Sequence, residues 1–376
     1  MYTINKKDMQ LIVNGASFLA SGGGGGVASA NAVIDNIISF SSEVTVAQAS
    51  EVSADSELLV ICGVGAPDAP HLNFKNSPGD GLQGLQELTG KTYTHVLPIE
   101  VGAMNSMIPL LACAQLNIPF VDGDGAGRSV PEMSMCTYAL KGFSPKETLV
   151  VSEEDTKYPV HPANAVDLEK QVRKIVSEKL QDAGTVATWS ISGKQFQSRD
   201  AFVPGSLKLA HDIGKAMAGD QPLQGVESIV ANYYSDHRII MRNAKVVAAT
   251  NKVEDGFDVG TISVQDEHSG LQATLYFVNE SLLALLSVDD VPLGFIMGPD
   301  MICSMGIDGS PMTNSEIYSE YAKGETVHIS LMWVKAVEAI RTPLMFFRYW
   351  QLLNDKFGST EMHGYRFIEE VIEQFE

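Results

Sequence analysis

Phe120-Val-Asp-Gly-Asp-Gly-Ala-Gly-Arg-Ser-Val-Pro-Glu132 decides how the rest of the chain is read. Its first two residues read as a short apolar strand. The chain then opens into a loop that holds Asp122, Asp124, Arg128 and Glu132 among three glycines. A buried strand that ends in a polar, flexible loop suits a parallel sheet, where loops gather at the carboxyl ends of strands.

Upstream, apolar residues at helical spacing predict helices over Asp8–Ala20 and Ser29–Ile38, separated by the run Gly22–Gly26. Strand-like runs follow at Val44–Ala47, Leu58–Cys62 and His95–Ile99, with a helix over Asn105–Gln115 ending before Pro119. Strands alternating with helices predict a three-layer α/β domain with a mostly parallel sheet, over residues 1–163. Downstream, Val166–Leu180 reads as an amphipathic helix with Gly184 as its terminator. Ile239–Met241 and Lys245–Ala249 read as two strands joined by a polar turn. Thr261–Gln265 and Leu271–Val278 read as a hairpin, and Tyr365–Phe375 as a closing helix. Residues 164–376 are therefore expected to form a β-rich domain with flanking helices.

Charge narrows the function. Lys and Arg total 26 against 46 Asp and Glu, a net charge of −20, which disfavours nucleic acid and anionic lipid as partners. No stretch reads as a signal peptide or membrane span, and Cys62, Cys113, Cys136 and Cys303 form no CxxC pair. The expectation is a cytoplasmic protein with reduced thiols that assembles as a homo-oligomer and acts on a small molecule.

Three loops could carry chemistry. Five consecutive glycines cost backbone entropy. Either Gly22, Gly23, Gly24 and Gly25 offer bare N–H groups to a ligand, or they form a connection where nothing larger fits. Val27 breaks a dinucleotide fingerprint, and no Gly-Lys-Ser/Thr follows for a phosphate loop. The second loop, Gly63-Val-Gly65-Ala-Pro67, follows a strand and lets backbone approach a ligand at Gly65. The third is the acidic loop, where carboxylates beside a guanidinium suit acid–base work, a hard cation or a clamp on an anionic substrate. Asp122 and Asp124 are the metal candidates, with a divalent ion the open cofactor question. The calcium-loop pattern fails, because the twelfth residue from Asp122 is Met133. Arg128 could instead pair with Asp122 or Asp124 and only pin the loop. Glu100 is a further proton-transfer candidate. Asn105 is read as a helix N-cap or a substrate contact. His71, His95 and His161 are scattered.

Leu19-Ala-Ser-Gly-Gly-Gly-Gly25, Pro98-Ile-Glu-Val-Gly-Ala-Met-Asn105 and Val121–Glu132, with Val278-Asn-Glu280 and Gly298-Pro-Asp-Met-Ile302, resemble the S-methyl thiohydantoin desulfurase-like family along the whole chain. Gly26, Val27 and Ala103 depart from its pattern. The resemblance implies hydrolysis or desulfurisation of a hydantoin-like ring. The residues assigned to that chemistry are Asp124 as base or metal ligand with Asp122 its partner, Arg128 on an anionic substituent, and Glu132 and Glu100 as further proton carriers. A competing role is a non-catalytic subunit of a hydantoinase-type complex.

Overall fold

The computed structural model describes residues 1–65, 74–180, 183–360 and 362–375, which build two sheets. The chain begins with β1 (Tyr2–Asn5) and α1 (Lys6–Leu19). Asn5 starts that helix by accepting the amides of Lys7 and Asp8, while Asp8 accepts the amide of Asn5. After the glycine run come α2 (Val27–Phe40), β2 (Glu43–Gln48), β3 (Glu57–Gly65), α3 (Ser77–Thr89), β4 (His95–Pro98), α4 (Ala103–Leu116) and β5 (Phe120–Asp124). Strands β6 (Thr148–Val151), β7 (Lys157–Val160), β8 (Ala183–Ser192) and β9 (Val203–Pro204) complete the first sheet.

Its order is β1-β2-β5-β4-β3-β8-β6-β7, with β9 on β5. The central four strands, β2-β5-β4-β3, are parallel, as the alternation of strands and helices predicts. The flanks are antiparallel: β1 on β2, and β8, β6 and β7 beyond β3. The carboxyl ends of β3, β4 and β5 therefore lie side by side, and each opens into one of the polar segments singled out in the sequence.

The second sheet comprises β10 (His237–Glu254), β11 (Phe257–Gln265), β12 (Leu271–Val278), β13 (Glu280–Val288), β14 (Val291–Met297), β15 (Met301–Gly306), β16 (His328–Val334) and β17 (Arg366–Phe367). It runs in the order β15-β16-β10-β11-β12-β13-β14-β17. The halves share a core. Ala126, Val130 and Met135, from the loop after β5, are buried with Val259, Val278 and Leu283 of the second sheet and Tyr349 of the helix Pro343–Phe357.

Several local expectations change. Residues 237–254 form one strand, because the polar residues Arg242 and Asn243 sit at an irregularity between Met241 and Ala244 in its pairing with β16 rather than in a turn. Gly184 lies inside β8, and the helix Ala165–Lys179 ends without it. The closing segment splits into β17 and two short helical turns, Ile368–Val371 and Ile372–Phe375. Beyond residue 163, β8 and β9 still pair into the first sheet. The helix Ser206–Met217 is also buried with α1, through Leu209, Ala210 and Ile213 against Met9, Ile12 and Val13.

Candidate functional site

A narrow cavity of about 50 Å³ sits at the carboxyl ends of the parallel strands, where the glycine run and the start of β13 meet them. Gly63 and Gly65 come from β3, Glu100 from the segment after β4, Asn105 from α4, and Glu280 from the other sheet. With roughly 10–15 Å³ needed to hold one water, the space takes a few waters.

Glu100 is buried. One of its oxygens accepts the Asn105 side-chain amide at 2.7 Å, the other the backbone N–H of Val130 at 2.7 Å. Asn105 sits one turn into α4, whose N-cap is Gly102, so it is not the cap. Its oxygen accepts the Gly63 amide at 2.8 Å, which ties the end of β3 to Glu100. Glu280 is also buried. Its Oε1 accepts the Gly24 amide at 3.1 Å, and its Oε2 has no partner among the described residues.

Burial pushes the Glu100 carboxyl up to about 7, against the pull of the Val130 amide, Asn105 and Arg128. Burial, then the charge of Glu100, pushes Glu280 up to about 8, with Arg128 opposing. Glu100 thus raises Glu280, and two interacting carboxyls on one cavity titrate as a unit.

The acidic loop reaches this cavity through Val130 and Pro131, while Asp122, Asp124, Arg128 and Glu132 do not line it. Asp122 accepts the Leu207 and Lys208 amides at 3.1 and 3.2 Å, capping the helix Ser206–Met217, and the Tyr2 hydroxyl at 3.0 Å. Asp124 is fully buried and folds its own loop by accepting the amides of Ala126 and Gly127. Burial pushes its carboxyl up to about 7. Glu132 accepts the Ser134 hydroxyl at 3.0 Å, and burial raises it too.

Arg128 is expected to reach substrate or pair with a loop aspartate; it does not line the cavity, and its hydrogen bonds go to backbone carbonyls rather than to Asp122 or Asp124. Its side chain is buried. Nε donates to Ser129 O at 2.7 Å, and Nη1 donates to Pro299 O at 2.7 Å and Asp300 O at 2.9 Å. The guanidinium thus clasps Gly298-Pro-Asp300 of the second sheet, a role that two distant motifs do not disclose separately.

The glycine run is mainly a close approach. Gly24, at φ +71°, would carry a Cβ 2.5 Å from Ser129 Oγ and 2.7 Å from the Gly102 Cα, and its carbonyl accepts the Met104 amide. Side chains at Gly22 and Gly23 would strike Asn314 and Glu280. Gly24 and Gly25 line the cavity; Gly22 and Gly23 do not.

Two charged lining residues, Glu280 and Arg173, are not among the site residues expected from the sequence. Glu280 stood in a quoted motif, but nothing in the sequence brings it to Glu100. Arg173 lies in the middle of an amphipathic helix and reaches the cavity while bonding Glu169, Gly256 O and Pro131 O. Among the described residues no group of three or more His, Cys, Asp and Glu is placed to hold a metal ion. Pro67 and His71 lie outside those residues. No described helix is long and apolar enough to cross a membrane.

Residues 7–161 match the family model described as the S-Me-THD-like N-terminal domain, and residues 163–343 match that of the S-Me-THD-like C-terminal domain. A crystal structure of a protein from Chromobacterium violaceum superposes with a TM-score of 0.78 at 22% identity, covering 96% of this chain and 98% of that one. At that identity the likeness is one of fold. No match was found among curated proteins.

Proposed function

Because the chain belongs to the S-Me-THD-like family, we propose that this cavity hydrolyses a small hydantoin- or S-methyl-thiohydantoin-like ring, with Glu100 and Glu280 moving the protons. The observation that carries the reading is the pair itself. Two buried carboxyls from different sheets share one cavity at the carboxyl ends of parallel strands, and one of their oxygens is unengaged. Environments that leave one carboxyl ionised and the other protonated near neutral pH are what paired acid–base chemistry requires.

On an S-methyl thiohydantoin, water adds across the ring C=N bond. Its oxygen bonds to the sulfur-bearing carbon, Glu100 takes one water proton, and the ring nitrogen takes the proton of Glu280. Collapse then forms C=O and breaks the C–S bond. Glu280 takes the hydroxyl proton and Glu100 returns its own to the departing sulfur. The products are the oxo ring and methanethiol, and both carboxyls end as they began. In this reading Asp122, Asp124 and Glu132 shape the loops behind the site, and Arg173 is the cation at the cavity wall.

The test is incubation of purified protein with S-methyl thiohydantoin, thiohydantoin and hydantoin, with and without divalent cations, following thiol release and the oxo product. Turnover of at least one ring, lost in Glu100→Gln, is expected. No turnover of any ring under either condition overturns the reading.

A further inference from the structure

Three buried polar atoms in one neighbourhood have no hydrogen-bond partner among the described residues: Glu280 Oε2, Arg128 Nη2 and the hydroxyl of Tyr349. Each is costly alone, since an unsatisfied buried polar group forfeits its hydration. Found together, a donor, an acceptor and a group that can be either have matching chemistry.

Tyr349 stands on the helix Pro343–Phe357, and its ring lies against Gly298, where a side chain would collide with it. Gly298 opens the segment whose next two carbonyls hold Arg128. The guanidinium carbon lies 5.2 Å from the centre of the Tyr349 ring. The same segment is tied to β13, because the Gly298 amide donates to Leu282 O, two residues beyond Glu280. The guanidinium, the phenol and the start of β13 are thus fixed against one rigid turn. Neither Arg128 nor Tyr349 lines the cavity.

We propose that Arg128 and Tyr349 are positioning residues for Glu280, a buried guanidinium–phenol pair that sets the orientation and charge of that carboxyl from outside the cavity. The groups facing Glu280 are then the Gly24 amide from the glycine run, Glu100 from the segment after β4, Arg128 from the loop after β5, and Tyr349 from the C-terminal helix. Glu100 opposes ionisation of Glu280, and Arg128 favours it. Burial holds the phenol neutral through the working pH range, so it acts as a dipole rather than as a charge.

The inference deepens the proposed reaction but is tested without it. Protein carrying 13C at the glutamate carboxyls is titrated by NMR in the absence of any ring compound, with Glu280→Gln assigning the Glu280 signal. Tyr349→Phe removes one oxygen and keeps the ring. It should raise the Glu280 midpoint by roughly 0.5 unit or more, because a phenol dipole near the carboxylate has been lost. In the wild-type protein labelled at tyrosine Cζ, the Tyr349 signal should shift with the Glu280 midpoint, a readout that needs no altered fold. A Glu280 midpoint unchanged in folded Tyr349→Phe overturns the inference, as does a Tyr349 signal indifferent to Glu280. Either result leaves the hydrolysis reading standing. Conversely, a protein that turns over no ring can still show the coupling.

Discussion

The backbone amide of Gly24 donates to Oε1 of Glu280 across 3.1 Å, joining residues 256 positions apart and the two sheets of the molecule. One carboxyl oxygen is thereby held by the glycine run, and the other has no hydrogen-bond partner among the described residues. The same bond explains much of the glycine requirement, since a side chain at Gly23 would occupy the space of the Glu280 carboxyl.

Gly24 and Gly90 share a φ of +71°, but a Cβ at Gly90 meets nothing within 4 Å. Alanine at either position pays the same left-handed strain, about 1 kcal/mol. Gly24→Ala additionally collides with Ser129 and the Gly102 backbone, which should cost a further ~2 kcal/mol or more. Paired thermal or denaturant melts measure the difference. Equal losses at the two sites would mean that the run is not a close approach.

Arg128→Lys removes a fork that satisfies three backbone carbonyls and leaves a buried ammonium with fewer acceptors in reach. A loss of roughly 3 kcal/mol or more is expected, read as a large fall in Tm. A lysine variant that melts with the wild-type protein would show that the clasp on Pro299 and Asp300 contributes little.

Glu100 and Glu280 have folded pKa values raised above those of an unfolded chain, to about 7 and about 8. The folded state therefore binds more protons than the unfolded state, and stability falls as pH rises from the ordinary carboxylate range through about 8. Glu280→Gln removes one such group. Its stability should fall less steeply than that of the wild-type protein between pH 5 and pH 9. Parallel Tm–pH curves would mean that the carboxyl is not held in this way.

Asp122 accepts two amides at the start of the helix Ser206–Met217, so Asp122→Ala should cost about 1 kcal/mol, the ordinary price of a lost cap. Turnover or ligand affinity should stay within roughly threefold of wild type, since the residue does not line the cavity. A stable variant without function would return the reaction to the acidic loop.

How much of this was legible follows from the range of each interaction. The parallel centre could be read because its strands are short apolar runs with a helix, Asn105–Gln115, between the last two, and Glu100 and Gly65 could be placed because each follows or ends such a run. Asp122, Asp124 and Arg128 drew attention for a sound local reason, a cluster of charge in a flexible loop. The partners of Asp122 and Arg128 are far away in sequence, however: Leu207 for Asp122, and Pro299 and Asp300 for Arg128. Glu280 was hidden for the same reason, because pairing across two sheets leaves no spacing to read. The single strand His237–Glu254 was missed because polar residues at an irregular register resemble a turn.

The central claim is that Glu100 and Glu280 form one proton-transfer pair. The most direct measurement is the pH dependence of kcat/KM on an S-methyl thiohydantoin for the wild-type protein, Glu100→Gln and Glu280→Gln, with Tm recorded on each preparation. The account predicts a bell with limbs near 7 and 8 for the wild-type protein, and a loss of at least ~100-fold in each folded variant. Either variant, folded and retaining wild-type kcat/KM across that range, would contradict it.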